Sequence, residues 1–128
     1  MQELTPRAWR IMFLMVLAVA LLVVPLSAHH GWGGYQDNES QITGTVTTAV
    51  STGGPHASLK IRSADGQVWN VLLAPPPRTV AAGLKEGMIP LGAEVTAIGH
   101  RHRDAKILEI KTERLNWNGK TFNVYPNR

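Results

Sequence analysis

Five histidines are the residues of this sequence best suited to chemistry, and two of them, His29 and His30, are adjacent. If a peptidase cuts after Ala28, the α-amine and one imidazole nitrogen of His29 can close a chelate ring around a metal ion. An imidazole from elsewhere in the fold then completes a T-shaped set of three nitrogens. Such ligation suits Cu(II), which heads the affinity order of divalent first-row metals, and imidazole also accepts zinc and nickel. The alternative for this histidine pair is a solvated tail.

Three further histidines are candidate metal ligands. His56 ends a Gly-Gly-Pro-His turn, where a fixed backbone can present a side chain at little entropic cost. His100 and His102 are two residues apart, so they share a face if the strand continues through them. The alternatives are a surface histidine at position 56 and a polar hairpin tip at 100–102, where Arg101 and Arg103 oppose the gathering of more positive charge.

Four other side chains are candidate contacts for a ligand or a partner. Trp32 and Tyr35 follow the paired histidines, and they can either pack this segment against the fold or form an exposed aromatic platform. Arg78 follows three prolines, so its backbone is rigid and it can bind an anion, although a surface arginine is the simpler interpretation. Trp117 precedes an Asn-Gly turn and can either pack against the fold or contact a ligand. Trp69 lies within a predicted strand and is expected in the core.

The composition gives little support for catalysis. The chain has no cysteine, which excludes a thiol nucleophile, disulfides and a lipid-modified cysteine. No serine elbow or glycine-rich phosphate loop is present. Glu109 and Glu113 share a face of a predicted strand, but we expect that face to be solvated. We therefore expect a protein that is not an enzyme and has no organic cofactor, since metal-assisted hydrolysis or redox chemistry would need an open coordination site and a shaped pocket.

The first 28 residues have the pattern of a secretory signal peptide. Arg7 and Arg10 precede an apolar run at 11–26, and small residues end at Ala28, the predicted cleavage site. This run of 16 residues would span roughly 24 Å as a helix, less than the ~30 Å of a bilayer core. We therefore predict a periplasmic or secreted protein, and contact with a membrane only if the leader stays uncleaved.

The charge of the exported chain argues against a nucleic-acid partner. Removal of the leader lowers the formal net charge from +4 to +3, and the basic residues are scattered. Nucleic-acid-binding proteins usually carry a clustered basic face. The expected partners are a metal ion and, in the alternative, a protein of the cell envelope.

The elements that position these residues are mostly strands. After a Gly-rich lead-in at 29–40, alternating apolar residues predict a single β domain at 41–128. In the first strand the even-numbered residues from Ile42 to Thr48 share a face, and Gly44 there indicates a bulge or a tight bend. Asp-Gly and Asn-Gly pairs predict two hairpin turns. The predicted strands are 41–50, 57–63, 68–74, 93–100, 106–115 and 120–126, and the predicted helix is 78–84.

These elements predict a mainly β fold, a small six-stranded antiparallel barrel of OB type with one short helix, preceded by a signal-peptide helix. Barrel closure is favoured because it removes exposed strand edges.

Several short motifs, in order, resemble the DUF6152 family of small exported bacterial proteins. The similarity covers nearly all of residues 28–125. It rests on AHHGW, Tyr35, Gly44-Thr45-Val46, Pro55-His56-Ala57, VLLAPP, Arg78, Gly83-Leu84, GAEVTAIGH and GKT.

The resemblance implies a secreted or periplasmic β-rich domain but no particular activity. It places His29, His30 and His56 on the paired histidines and the Asn-Pro-His motif of the family. Gly54 replaces that asparagine, so the amide that would orient the imidazole is missing. Tyrosine is commoner in the family at position 100, so His100 and His102 rank below the other three histidines.

Two hypotheses about function follow. In the first, the domain binds copper or another transition metal through its N-terminal histidines and His56. In the second, it is a non-metal interaction module with a structural role, and Trp32, Tyr35 and Trp117 contact a partner protein or an envelope polymer.

Overall fold

Alternation of apolar and polar residues folds most of the described chain into strands. The structure is a computed structural model, and it describes residues 31–128. The predicted signal peptide and its helix, together with His29 and His30, lie outside the described residues. The elements are β1 (Ser40–Ser51), β2 (Ser58–Ser63), β3 (Val68–Leu72), α1 (Pro76–Ala81), β4 (Glu94–Arg101), β5 (Glu109–Trp117) and β6 (Lys120–Asn123).

Five strands close into a barrel, and a sixth extends it. The order in the sheet is β3-β2-β1-β4-β5-β6, and β3 also pairs with β5. Residues 109–111 of β5 pair with β3, and residues 114–117 pair with β6. The same strand therefore forms hydrogen bonds with both neighbours. This confirms the predicted mainly β barrel with a short helix. All pairings are antiparallel except β3 with β5, which is parallel.

The barrel interior is filled by the apolar face of each strand. Ile61, Val71 and Leu115 are fully buried, and Phe122 brings β6 into the same core. Complete burial of such a side chain stabilises the fold by about 1.5–3 kcal/mol. Trp69 is 8% exposed and joins this cluster, as the sequence predicts.

Strand β1 departs from simple alternation after its midpoint. Ile42 and Val46 are buried as expected, but Thr48 is exposed because the pairing with β2 shifts between Val46 and Thr48. Gly44 is required for a close backbone approach: a Cβ at this position would lie 2.5 Å from the carbonyl oxygen of Arg62.

The helix begins earlier than predicted. It starts at Pro76, two residues before Arg78, and ends at Ala81. Proline is tolerated in the first turn of a helix because the N–H that it lacks has no partner there. The prolines that follow β3 therefore supply the N-cap and the first turn of the helix. No helix within residues 31–128 is long and apolar enough to cross a membrane.

The last strands are shorter at one end than predicted. Strand β5 begins at Glu109 because the preceding residues turn, with the Ile107 amide donating to the Asp104 carbonyl. Strand β6 ends at Asn123. Between them, Asn118 and Gly119 have φ values of 52° and 73°, the left-handed conformation that a two-residue hairpin turn requires.

Candidate functional site

The outward face of β5 is covered by the lead-in segment. Glu109, Lys111 and Glu113 alternate along the strand, and Lys111 and Glu113 are only 3% and 4% exposed. The Lys111 ammonium lies 4.7 Å from the ring centre of Trp32 and 5.5 Å from that of Tyr35. The expectation of a solvated strand face is therefore wrong for these two residues, because the aromatic lead-in packs over them.

His100 and Glu113 form a buried pair beneath this cover. The Nε2 atom of His100 lies 2.9 Å from Oε1 of Glu113, and its Nδ1 lies 2.9 Å from the Gln36 carbonyl oxygen. A carbonyl only accepts, so Nδ1 carries a proton, and Nε2 and Oε1 must share another. The edge of Trp32 packs on this imidazole at 5.6 Å. Both ring nitrogens of His100 are therefore already engaged.

A bulge in β5 directs Glu113 towards His100. The pairing of β4 with β5 shifts between Ile98 and Gly99, which leaves one extra residue on β5. Gly99 allows this, because a Cβ there would collide with the backbone of Lys111 and Thr112. Bulges of this kind re-aim a side chain without ending the strand.

A hydrogen bond between Tyr35 and Glu109 connects the lead-in to the first residue of β5. The Tyr35 hydroxyl donates to Oε1 of Glu109, and the Asn70 amide donates to Oε2 over 2.7 Å. Burial, with this hydrogen bond and the Glu109 charge, raises the pKa of Tyr35. Glu109 is thus held by groups from two separate segments.

His56 lies in the electrostatic field of the same strand. Its side chain is half-buried, and burial lowers its pKa below the ordinary value of 6.5. The positive charge of Lys111 lowers this pKa further, and the negative charge of Glu109 opposes that effect. The barrel therefore favours the neutral imidazole, the form that binds metal ions.

Burial also lowers the pKa of Lys111, with a further contribution from the positive charge of Arg128.

His102 follows His100 but belongs to a different contact. Its Nδ1 accepts the Asp104 backbone N–H over 3.0 Å, and its ring packs edge-on against Tyr35 at 5.5 Å. An isolated β-bridge joins the same two residues, Tyr35 and His102. Residues 100 and 102 thus contact neighbouring aromatic rings of the lead-in, but their hydrogen bonds point to separate partners.

The described histidines do not form a ready-made metal cluster. Within residues 31–128 there is no group of three or more histidine or carboxylate side chains placed to hold one ion. Among the described histidines, only His56 has an imidazole that makes no hydrogen bond to residues 31–128. Metal binding at His56 would therefore break no such bond.

Two arginines and two aromatic rings border a cavity with a volume of about 410 Å³. The guanidinium carbon of Arg128 lies 4.0 Å from the centre of the Trp32 ring, and that of Arg78 lies 5.2 Å from the centre of the Tyr125 ring. The rings of Trp32 and Tyr125 meet edge to face at 5.2 Å. The predicted contacts Trp32 and Arg78 are therefore brought together at one cavity.

Trp117 lies apart from this region. It packs partly against the core and borders a smaller cavity of about 180 Å³ beside the Asn118–Gly119 turn.

Sequence reasoning missed the partners that the lead-in covers. Lys111, Glu113, Tyr125 and Arg128 were not among the candidates. The only signal for the first two was three charged residues at alternate positions of a strand, and this pattern does not indicate which segment covers it. The last two lie beyond the end of β6, and the strand predicted at 120–126 does not indicate what Tyr125 contacts.

Comparison with known proteins supports the fold. No protein-family model matches the chain, and no curated protein matches it, so the resemblance to the DUF6152 family remains a prediction. Among solved structures, the chain is similar to TiaS, in the crystal structure of its ZRD-deleted mutant in complex with agmatine. The TM-score is 0.50 at 14% sequence identity, over 68% of this chain and 26% of that one. This chain therefore spans about a quarter of TiaS, and at such low identity only the fold is shared.

Proposed function

We propose that this protein is an exported β-barrel module that binds copper, or zinc or nickel in its place, through the α-amine and imidazole of His29 together with His56, with His30 as an additional candidate ligand. The export step rests on the N-terminal sequence, which predicts a periplasmic or secreted location. The observation that supports the metal site is the state of His56, whose half-buried imidazole has a lowered pKa and makes no hydrogen bond to residues 31–128.

A neutral imidazole matters because metal ions compete with protons for the same nitrogen. Lowering the pKa of His56 reduces this competition near neutral pH. The positive charge of Lys111, which helps to lower the pKa of His56, would also repel a metal cation. The negative charge of Glu109 acts on His56 with the opposite sign. Burial is the largest cause of the shift, ahead of these two opposing charges.

The proposed N-terminal ligands lie two and three residues before Trp32 in the sequence. Trp32 is fixed to the barrel by Lys111 and Tyr125, and Lys111 also acts on His56. The α-amine released by cleavage would supply the third nitrogen donor.

His100 and His102 are left out of the proposed ligand set. His100 would have to give up its hydrogen bond to Gln36 or to Glu113. The Nδ1 atom of His102 already accepts the Asp104 amide. This assignment makes His102→Gln a matched control for His56→Gln, since both remove one partly exposed imidazole.

The test is titration of the protein isolated from cells that express the full chain, with the N-terminus read by mass spectrometry. We expect Cu(II) binding by calorimetry, weakened in His56→Gln by at least the roughly tenfold that even an outer-shell change costs in metal sites. His102→Gln should bind as the wild type does. Equal affinities in wild type and His56→Gln would contradict the proposal.

A second candidate function is a non-metal interaction module. It is favoured by the cavity between Trp32, Arg78, Tyr125 and Arg128, which needs no metal to bind a ligand.

A further inference from the structure

The cavity between the C-terminal segment and α1 combines cationic and aromatic groups. Its volume of about 410 Å³ is within the ~300–1,000 Å³ range of small-molecule sites. The groups that bear on binding are Trp32, Arg78, Asn123, Tyr125, Asn127 and Arg128.

Both arginines are oriented by aromatic rings. Arg128 lies over Trp32 at 4.0 Å and Arg78 over Tyr125 at 5.2 Å. Guanidinium groups on aromatic faces keep their N–H edges available, and these edges match carboxylate or phosphate oxygens in pairs. The rings also hold the guanidinium groups in place, which reduces the entropy lost on binding.

Among residues 31–128, no aspartate or glutamate lines this cavity. Among residues 31–128, Arg78 forms no ion pair with a carboxylate. Arg128 lies 3.6 Å from Glu113, but that carboxylate is already bound to His100 at 2.9 Å. An anion would therefore gain attraction from Arg78 without displacing an existing partner.

The position of Lys111 beside this cavity also favours the binding of an anion. The Lys111 ammonium contacts the same indole as Arg128, at 4.7 Å from its centre, and Arg128 contributes to the lowered pKa of Lys111. Positive groups repel one another at this place, and a bound anion would relieve that repulsion.

We propose that this cavity is a binding site for a small organic anion that presents a carboxylate or phosphate group to Arg78 and Arg128 and a flat apolar body to Trp32 and Tyr125. His56, the proposed metal ligand among the described residues, does not line this cavity.

The experiment is an NMR titration that follows the indole N–H of Trp32 in the protein isolated from cells that express the full chain. Benzoate and phenyl phosphate are the anionic probes, and benzamide is the neutral probe of matched shape. We expect saturable shifts with at least one anion and none with benzamide. The tighter of the two anions identifies the head group.

Variants assign the effect to the cavity. Arg78→Gln should weaken anion binding by about tenfold or more, the scale of one lost charge-assisted hydrogen-bond pair. Arg78→Lys should bind with intermediate affinity, since lysine keeps the charge but not the planar fork. The control is Arg62→Gln, an exposed arginine of β2 that does not line the cavity.

Three results would overturn this inference: no shift with either anion, equal binding of benzamide, or equal affinities in Arg78→Gln and Arg62→Gln. Excess chelator in every sample separates the outcome from the metal proposal. Anion binding that persists with chelator supports the cavity site even if copper binding fails.

Discussion

The imidazole of His100 and the carboxylate of Glu113 face each other across β4 and β5, with Nε2 and Oε1 2.9 Å apart. Both side chains are buried, at 11% and 5% exposure. The second imidazole nitrogen is bound to the Gln36 carbonyl, so the pair links two barrel strands to the lead-in. A buried pair of this kind destabilises the fold strongly when only one partner is removed.

Replacement of His100 by leucine should therefore lower the free energy of unfolding by about 2–3 kcal/mol. This is less than the usual cost of an unpaired buried charge, because Arg114 and Arg128 lie 3.8 and 3.6 Å from Glu113. Urea denaturation measures the effect. The double variant His100→Leu with Glu113→Gln should lose less than the sum of the single variants. A His100→Leu protein within about 0.5 kcal/mol of wild type would show that the pair has no structural importance.

The sequence predicts the strands well because alternation is a local signal. Trp69 and the faces of β2 and β3 follow from it directly. The burial of Lys111 and Glu113 could not be predicted, since it depends on a segment more than 70 residues away folding over β5. The same long-range contact converts His100 from a candidate metal ligand into half of a buried pair.

The second prediction concerns Gly99. Alanine at this position would place a methyl group against the backbone of Lys111 and Thr112, which cannot move without breaking the β4–β5 pairing. We expect a loss of stability of about 2 kcal/mol or more in urea denaturation. Gly53→Ala is the control, because its added Cβ would meet only the Ser51 hydroxyl at 3.7 Å. Equal stability of the two variants would contradict the close approach.

The third prediction is a pH dependence from His56. Its folded pKa lies below the ordinary 6.5, so acid protonates the unfolded chain first. The free energy of unfolding should therefore fall as the pH decreases below about 6.5, until the folded pKa is passed. The measurement is urea denaturation from pH 5 to 8 for wild type and His56→Gln, since glutamine does not titrate. The wild type should lose more stability in acid than the variant, and parallel profiles would refute the prediction.

The fourth prediction uses both tyrosines of the chain. Burial raises the pKa of Tyr35 and of Tyr125 above the ordinary 10.0, and Glu109 adds to the effect on Tyr35. Ultraviolet titration of the folded protein should show no phenol ionising at its ordinary pKa. Both should ionise normally in denaturant. A transition of half the total amplitude near pH 10 would mean that one ring is solvated, and Tyr35→Phe would identify which.

The candidate metal site could be predicted only in part. A Gly-Gly-Pro-His turn indicates a histidine that is held in place, and the structure adds that its neutral form is favoured by burial. Spacing alone could not separate His100 and His102 from this role, because residues two apart on a strand share a face whether they bind a metal or a carboxylate. The partners of their ring nitrogens come from Gln36, Glu113 and Asp104, none of which the spacing reveals.

The most direct test of the central claim is the electron paramagnetic resonance spectrum of Cu(II) added in equal amount to the exported protein, after mass spectrometry has shown that His29 is its first residue. We predict ligand hyperfine structure from three nitrogens in wild type, those of the His29 α-amine, the His29 imidazole and the His56 imidazole, and from two in His56→Gln. Identical spectra for the two proteins would contradict it, and so would a spectrum with oxygen ligands alone.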